Sequence, residues 1–218
     1  MARPKGARDA DYQQKRAQLL ERMIPTIMQR ELARPSLRQL AEAAGVTVST
    51  LRHYFGSRAE LVSGALELMR AEADGRLQTV SQPVGDFETS VRDYVQSLLR
   101  AIDAPRRVPL GDLFAVSLAE GLLDPRIGPS TLGFILDPTL DALAARLQAH
   151  LDRGEMRPCD VRAASLMLVS PLLLAILHQN HMGGSDCRPL NLNQTTDEIC
   201  TAFVAAYSTQ PSPTDASG

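Results

Sequence analysis

Residues 36–61 read SLRQLAEAAGVTVSTLRHYFGSRAEL, and the rest of the chain is interpreted from this stretch outward. Ser36 and Gln39 have the S-x-x-Q spacing of a capping box, so a helix is expected to start there. Leu37, Leu40, Ala41 and Ala44 recur at helical spacing and give that helix one apolar face. Gly45 follows, and glycine ends a helix in a left-handed conformation at the lowest steric cost. Thr47 then caps a second helix running to Tyr54. Val46, Leu51 and Phe55 are spaced to pack back on the first helix. Ser57 and Glu60 form another capping box and start a third helix. Two helices joined by a short glycine-containing turn make a helix-turn-helix, whose second helix can lie in a DNA major groove.

On the N-terminal side, residues 11–33 are expected to be helical, with Leu19, Leu20, Met23, Ile24, Ile27 and Met28 as the apolar stripe. Pro25 predicts a kink or a break, because it removes a hydrogen bond and clashes with the carbonyl of Glu21. Residues 1–10, MARPKGARDA, read as a flexible basic arm. Arg3, Lys5 and Arg8 either reach DNA or are simply solvated.

On the C-terminal side the third helix runs from Ser57 to about Arg76, and 79–85 reads as a loop. A helix starting at Asp86 carries Phe87, Val91, Val95, Leu98, Leu99 and Ile102 on one face. Another covers 109–122, and 123–138, with three prolines, reads as broken. Asp137-Pro138 starts a helix whose Leu140, Leu143, Leu147 and Leu151 line one face. Asp160 caps the next helix, apolar on nearly all sides from Leu166 to Leu177 and so expected to be buried all round. Thr195 and Glu198 start the last one, with Ile199, Phe203 and Tyr207 on a face. The tail 209–218, TQPSPTDASG, has a disordered composition. The fold class is all-α with about nine helices: a helix-turn-helix domain over 11–76 and a helical domain over 77–208.

Composition agrees. Hydrophobic residues make up 44%, aromatics 4%, and Trp is absent, so the core must come from aliphatic side chains, which suits packed helices. The net charge of −2 hides an asymmetry: residues 1–70 hold 12 basic and 7 acidic residues (+5), and residues 71–218 hold 11 and 18 (−7). A basic head on an acidic body suits a protein that meets phosphate at one end. Cys159, Cys187 and Cys200 are odd in number and unpaired in spacing, as in a reduced, cytoplasmic protein. The first 18 residues are polar, so no secretory leader is expected. The longest apolar run, 163–177, is interrupted by Ser165, Ser170 and Pro171 and falls short of the roughly 18–20 residues of a membrane span, so no membrane association is expected.

The motif also resembles a known family. Ala44-Gly45-Val46-Thr47, Thr50-Leu51, His53-Tyr54-Phe55, Ser57-Arg58 and Glu60-Leu61 are similar to the DNA-binding signature of the tetracycline-repressor (TetR) family. Arg153-Gly154-Glu155-Met156-Arg157-Pro158, followed by a long apolar helix, resembles the C-terminal half of many members. The resemblance implies a transcriptional regulator, a repressor released from a double-stranded DNA operator by a small apolar ligand. Thr47, Val48, Ser49 and Thr50 open the recognition helix and are candidates to face base edges. Arg52, His53 and Tyr54 are candidates for backbone contacts. By family alignment Arg38 reads a base, and Arg58 stands where members hold a phosphate-gripping lysine.

The family also pairs its last two long helices, which implies a homodimer through 161–181 and 195–208. It encloses an effector pocket in the C-terminal domain; Leu98, Ile102, Phe114, Phe134, Leu143, Met167 and Leu174 are the candidates to line it. His178, His181, Asp186 and Cys187 read as polar residues at a helix end, with no metal expected. No nucleophile elbow, phosphate loop, dinucleotide fingerprint or zinc-protease motif occurs, so neither an enzyme nor a cofactor is expected. The competing reading is a helical carrier or enzyme with a vestigial DNA-binding head.

Overall fold

The computed structural model describes residues 5–29 and 34–209. Residues 1–4 of the expected arm and 210–218 of the expected tail lie outside them. The described chain is all-α. In order the helices are α1 (Lys5–Ile27), α2 (Leu37–Ala44), α3 (Val48–Phe55), α4 (Arg58–Glu72), α5 (Asp74–Val80), α6 (Phe87–Asp103) and α7 (Leu110–Leu123). They continue as α8 (Gly128–Thr131), a π-helical turn (Leu132–Leu136), α9 (Asp137–Asp152), α10 (Val161–His181), α11 (Gly184–Cys187) and α12 (Leu192–Tyr207).

Two compact units form. The first is Met1–Ala73 with Pro105–Leu136; the second is Asp74–Ala104 with Asp137–Gly218. A single cut near residue 76 is therefore not where the chain divides, because α7, α8 and the π turn pack with the N-terminal helices.

In the first unit α1 buries the expected stripe, Leu19, Leu20, Met23, Ile24, Ile27 and Met28, against α2 and α4. It starts at Lys5, earlier than expected, and it is one continuous helix. Pro25 falls in its last turn, so its disturbance is confined to the end of the helix and no break into two pieces occurs. α4 contributes Leu61, Val62, Ala65, Leu66 and Met69 to the same core. Ser130 on α8 donates to Ser63 on α4 at 2.8 Å. Thr131 donates to the Ser117 carbonyl of α7 at 2.9 Å. That approach needs Gly121: a Cβ there would stand 2.7 Å from Thr131 Oγ1.

In the second unit α10 packs between α9 and α12, and α12 also packs on α6. Phe87, Val91, Tyr94, Val95 and Leu98 of α6 are buried, as are Leu140, Leu143 and Leu147 of α9. α9 also buries a charge. Arg146 donates from Nε to the Val80 carbonyl (2.7 Å) and from Nη1 to the Ser90 carbonyl (2.8 Å) and Asp93 Oδ2 (2.9 Å). Its guanidinium also lies over the Tyr94 ring at 5.9 Å. Burial pushes the Tyr94 hydroxyl up to about 12, the nearby Arg76 and Arg146 opposing it. α12 begins a turn earlier than the Thr195–Glu198 spacing suggests, because Asn191 caps it by accepting from Gln194 N–H at 3.1 Å.

α10 departs from expectation twice. It is 21 residues long, and an 18-residue window has mean hydropathy 1.8, enough by length and composition to cross a membrane. Nor is it buried all round. Leu168, Val169, Leu172 and Ile176 face the core, whereas Leu166, Met167 and Leu174 are 53%, 64% and 64% exposed.

Candidate nucleic-acid interface

The local chemistry of residues 36–61 folds as the spacing predicts. Ser36 N–H donates to Gln39 Oε1 at 2.9 Å and Ser36 Oγ accepts from Gln39 N–H at 3.3 Å, closing the first capping box. Gly45 takes φ 67° and ψ 36°, and the Val46 N–H turns back to the Ala41 carbonyl at 2.9 Å, which satisfies the exposed end of α2. Thr47 Oγ1 accepts from Thr50 N–H at 3.1 Å and fixes the start of α3. Ser57 and Glu60 close the second box at 2.9 and 3.2 Å. Leu40, Ala44, Leu51 and Phe55 are buried, which turns the opposite side of α3 outward.

That outward side carries the expected residues. Thr47, Ser49, Arg52 and His53 are exposed, and Val48, Thr50 and Tyr54 are half-buried. Thr47 and Thr50 hydroxyls lie 2.9 Å apart, so each can share a proton with the other or turn to a ligand. Arg38 is exposed in the first turn of α2. A cation there opposes the helix dipole, a cost that an external anion offsets.

Two features were not read from the sequence. Tyr12 of α1 donates toward the carbonyls of His53 and Tyr54 at 3.3 and 3.2 Å, and its ring stacks on Tyr54 at 4.8 Å. It thus caps the C-terminal end of α3 with a side chain 41 residues upstream, and no local signal marks it. Arg58 is the second. Its Nε donates to the Pro35 carbonyl at 2.9 Å, and Nη1 and Nη2 grip the Glu120 carboxylate of α7 at 2.8 and 2.5 Å. The Arg58 side chain is 18% exposed and that of Glu120 3%. Where the sequence suggested a phosphate contact, three of the five guanidinium N–H donors are held internally, by Pro35 and Glu120. Arg34 joins the same carboxylate at 3.3 Å. Next to it, hydrogen bonds from Arg126 hold the Asp124 carboxyl down at about 2.

The seven residues expected to line one apolar pocket divide between the two units. Phe114 is buried in the first unit. Phe134, also there, lines a cleft of about 440 Å³ with Arg16, Ser57, Ser63, Glu67 and Arg126, a polar setting. Leu98 and Leu143 are buried and Ile102 half-buried in the second unit. Met167 and Leu174 point outward from α10 because its core face is already filled by Leu168 and Leu172.

Together the capped turn, the exposed α3 face and the helical packing define a helix-turn-helix protein. Residues 26–65 match the family model of the bacterial regulatory proteins, tetR family. The HTH-type transcriptional regulator PksA of Bacillus subtilis (strain 168) is 30% identical over 71 residues, 33% of this chain and 35% of that protein. The chain thus matches about a third of the length of this curated relative. A Mesorhizobium loti protein described as a TetR-family transcriptional regulator superposes over 91% of this chain and 98% of its own at TM-score 0.71, with 18% identity. SmeT, the repressor of the Stenotrophomonas maltophilia multidrug efflux pump SmeDEF, covers 89% and 91% at TM-score 0.59 and 17% identity. The likeness to the tetR family thus rests on the match over residues 26–65 and on a shared all-α fold.

Proposed function

We propose that the chain is a cytoplasmic, DNA-binding transcriptional regulator that works as a homodimer, and that it is a repressor released from its operator by a small apolar ligand. The observation that carries the DNA-binding part is α3 itself. It is capped at its start by Thr47, held at its end by Tyr12, and exposes Thr47, Ser49, Arg52 and His53 on the side away from the core. A rigid, polar, outward helix at the head of a basic segment is what groove reading requires. One such helix makes a small interface, and a dimer reading two half-sites is the common solution. The exposed apolar stripe of α10, with α12 beside it, supports that reading.

Repression and release rest on likeness. SmeT shares the fold and is the repressor of an efflux pump. A ligand acts on such a protein only by binding one conformation better than another. The test is binding to a duplex carrying the upstream region of its own gene, against an unrelated duplex of equal length, across a salt series. A regulator prefers the first and loses affinity steeply as salt rises. Equal affinity for both duplexes, or none for either, overturns the reading. A screen of apolar compounds by thermal shift tests the ligand: no shift from any compound sinks release by an apolar effector.

A further inference from the structure

We propose that Glu120 is a positioning residue for DNA binding: through Arg58 it sets where the recognition helix stands. The inference rests on the DNA-binding reading above and adds to it a residue outside the helix-turn-helix. Arg58 is the first residue of α4, two positions past Gly56, which ends α3. Its Nε holds the Pro35 carbonyl, directly before Ser36, the cap of α2. Both chain ends of the α2–α3 pair therefore converge on one guanidinium. The other edge of that guanidinium is held by Glu120, in the last full turn of α7, with its side chain 3% exposed. Arg34, at the approach to α2, takes the same carboxylate at 3.3 Å and lies 3.7 Å from Asp124.

A guanidinium fork on a carboxylate fixes direction as well as distance, because two parallel bonds must be kept. The buried carboxylate cannot be left unpaired without a large desolvation cost. Glu120 thus ties both ends of the reading motif to α7, while no atom of Glu120 lies on the exposed α3 face. Arg58 acts as a strut in this arrangement, with three of its five N–H donors held internally.

The experiment uses the full chain with Glu120→Gln, Arg58→Ala and the double variant. Gln keeps the shape and one acceptor but removes the charge; Glu120→Asp, which keeps the charge and shortens the reach, serves if Gln fails to fold. Affinity for the upstream duplex is measured over a salt series, and hydrogen exchange of the backbone amides is followed without DNA. The clamp predicts that each single variant weakens binding about tenfold, that the double variant is no weaker than the singles, and that the salt slope is unchanged. It also predicts faster exchange concentrated in residues 36–60. Tighter binding by Glu120→Gln with a steeper salt slope would mean that Glu120 only withholds Arg58 from phosphate, and overturns the proposal. Unchanged binding with unchanged exchange overturns it too, as does faster exchange spread evenly over the first unit, which marks plain loss of stability. If the wild-type chain does not prefer its upstream duplex, the regulator reading fails, and the exchange pattern by itself still decides whether Glu120 holds the motif.

Discussion

Replacing Leu174 of α10 with glutamate should break the proposed dimer while leaving the subunit folded. Leu174 is 64% exposed in the single chain. Fully burying a leucine is worth about 1.5–3 kcal/mol, so covering the exposed two-thirds is worth about 1–2 kcal/mol. In a two-fold interface every residue occurs twice, so the substitution removes about 2–4 kcal/mol of association free energy. At 1.4 kcal/mol per tenfold, the dimer weakens by at least about 30-fold. Placing a carboxylate in the interface adds an unpaired charge, so that figure is a floor. Sedimentation velocity over a concentration series reads the change directly, with Val84→Glu, another exposed apolar position, as the control. Leu174→Glu should sediment as a monomer at concentrations where the wild type and the control are dimers. DNA affinity should fall with it, and the melting temperature of dilute protein should not. A Leu174→Glu protein that self-associates as tightly as the wild type refutes the assignment of this face.

Three further outcomes are expected. The Asp124 carboxyl is depressed to about 2 by Arg126, so the stability it contributes is present above the unfolded carboxylate pKa near 4 and is lost as pH falls from about 4 towards 2; Asp124→Asn should therefore flatten the acid limb of a melting-temperature profile in that window and leave the two proteins alike below it. Gly121→Ala should destabilise the protein by about 1–3 kcal/mol in chemical denaturation, because its methyl would overlap Thr131, and Thr131→Ala in the same chain should restore part of the loss. Tyr12→Phe keeps the ring stack on Tyr54 but removes the hydroxyl from the last carbonyls of α3. It should cost about 0.5–1.5 kcal/mol in melting experiments and speed exchange at the end of α3; unchanged exchange there would show that the stack alone suffices.

The reading head was legible because its determinants are local. Ser36 with Gln39, Thr47 with Thr50 and Ser57 with Glu60 are contacts three residues apart, and Gly45 is a one-residue backbone requirement. Spacing alone specifies them. Glu120 was not legible, because its partners Arg34 and Arg58 are 86 and 62 residues upstream and an acidic residue near a helix end normally reads as solvated. Arg146 was hidden differently: it sits beside Leu143 and Leu147 in a helix whose apolar stripe accounts for the packing without it. The start of α12 was misplaced because Asn191 and Thr195 are both good caps, and the Asn191 side chain takes the role by accepting from Gln194 N–H. The outward leucines of α10 defeat periodicity altogether, since a helix apolar on every side has no pattern to say which side meets its own subunit.

Arg146 has a consequence for how the second unit comes together. Its three acceptors arrive from the end of α5, from α6 within one turn at Ser90 and Asp93, and nowhere else among its described bonds. A dry guanidinium short of any of them is worse off than one left in water. Parting α9 from either α5 or α6 therefore leaves a buried cation short of an acceptor, so the contact with each of these helices supports the contact with the other.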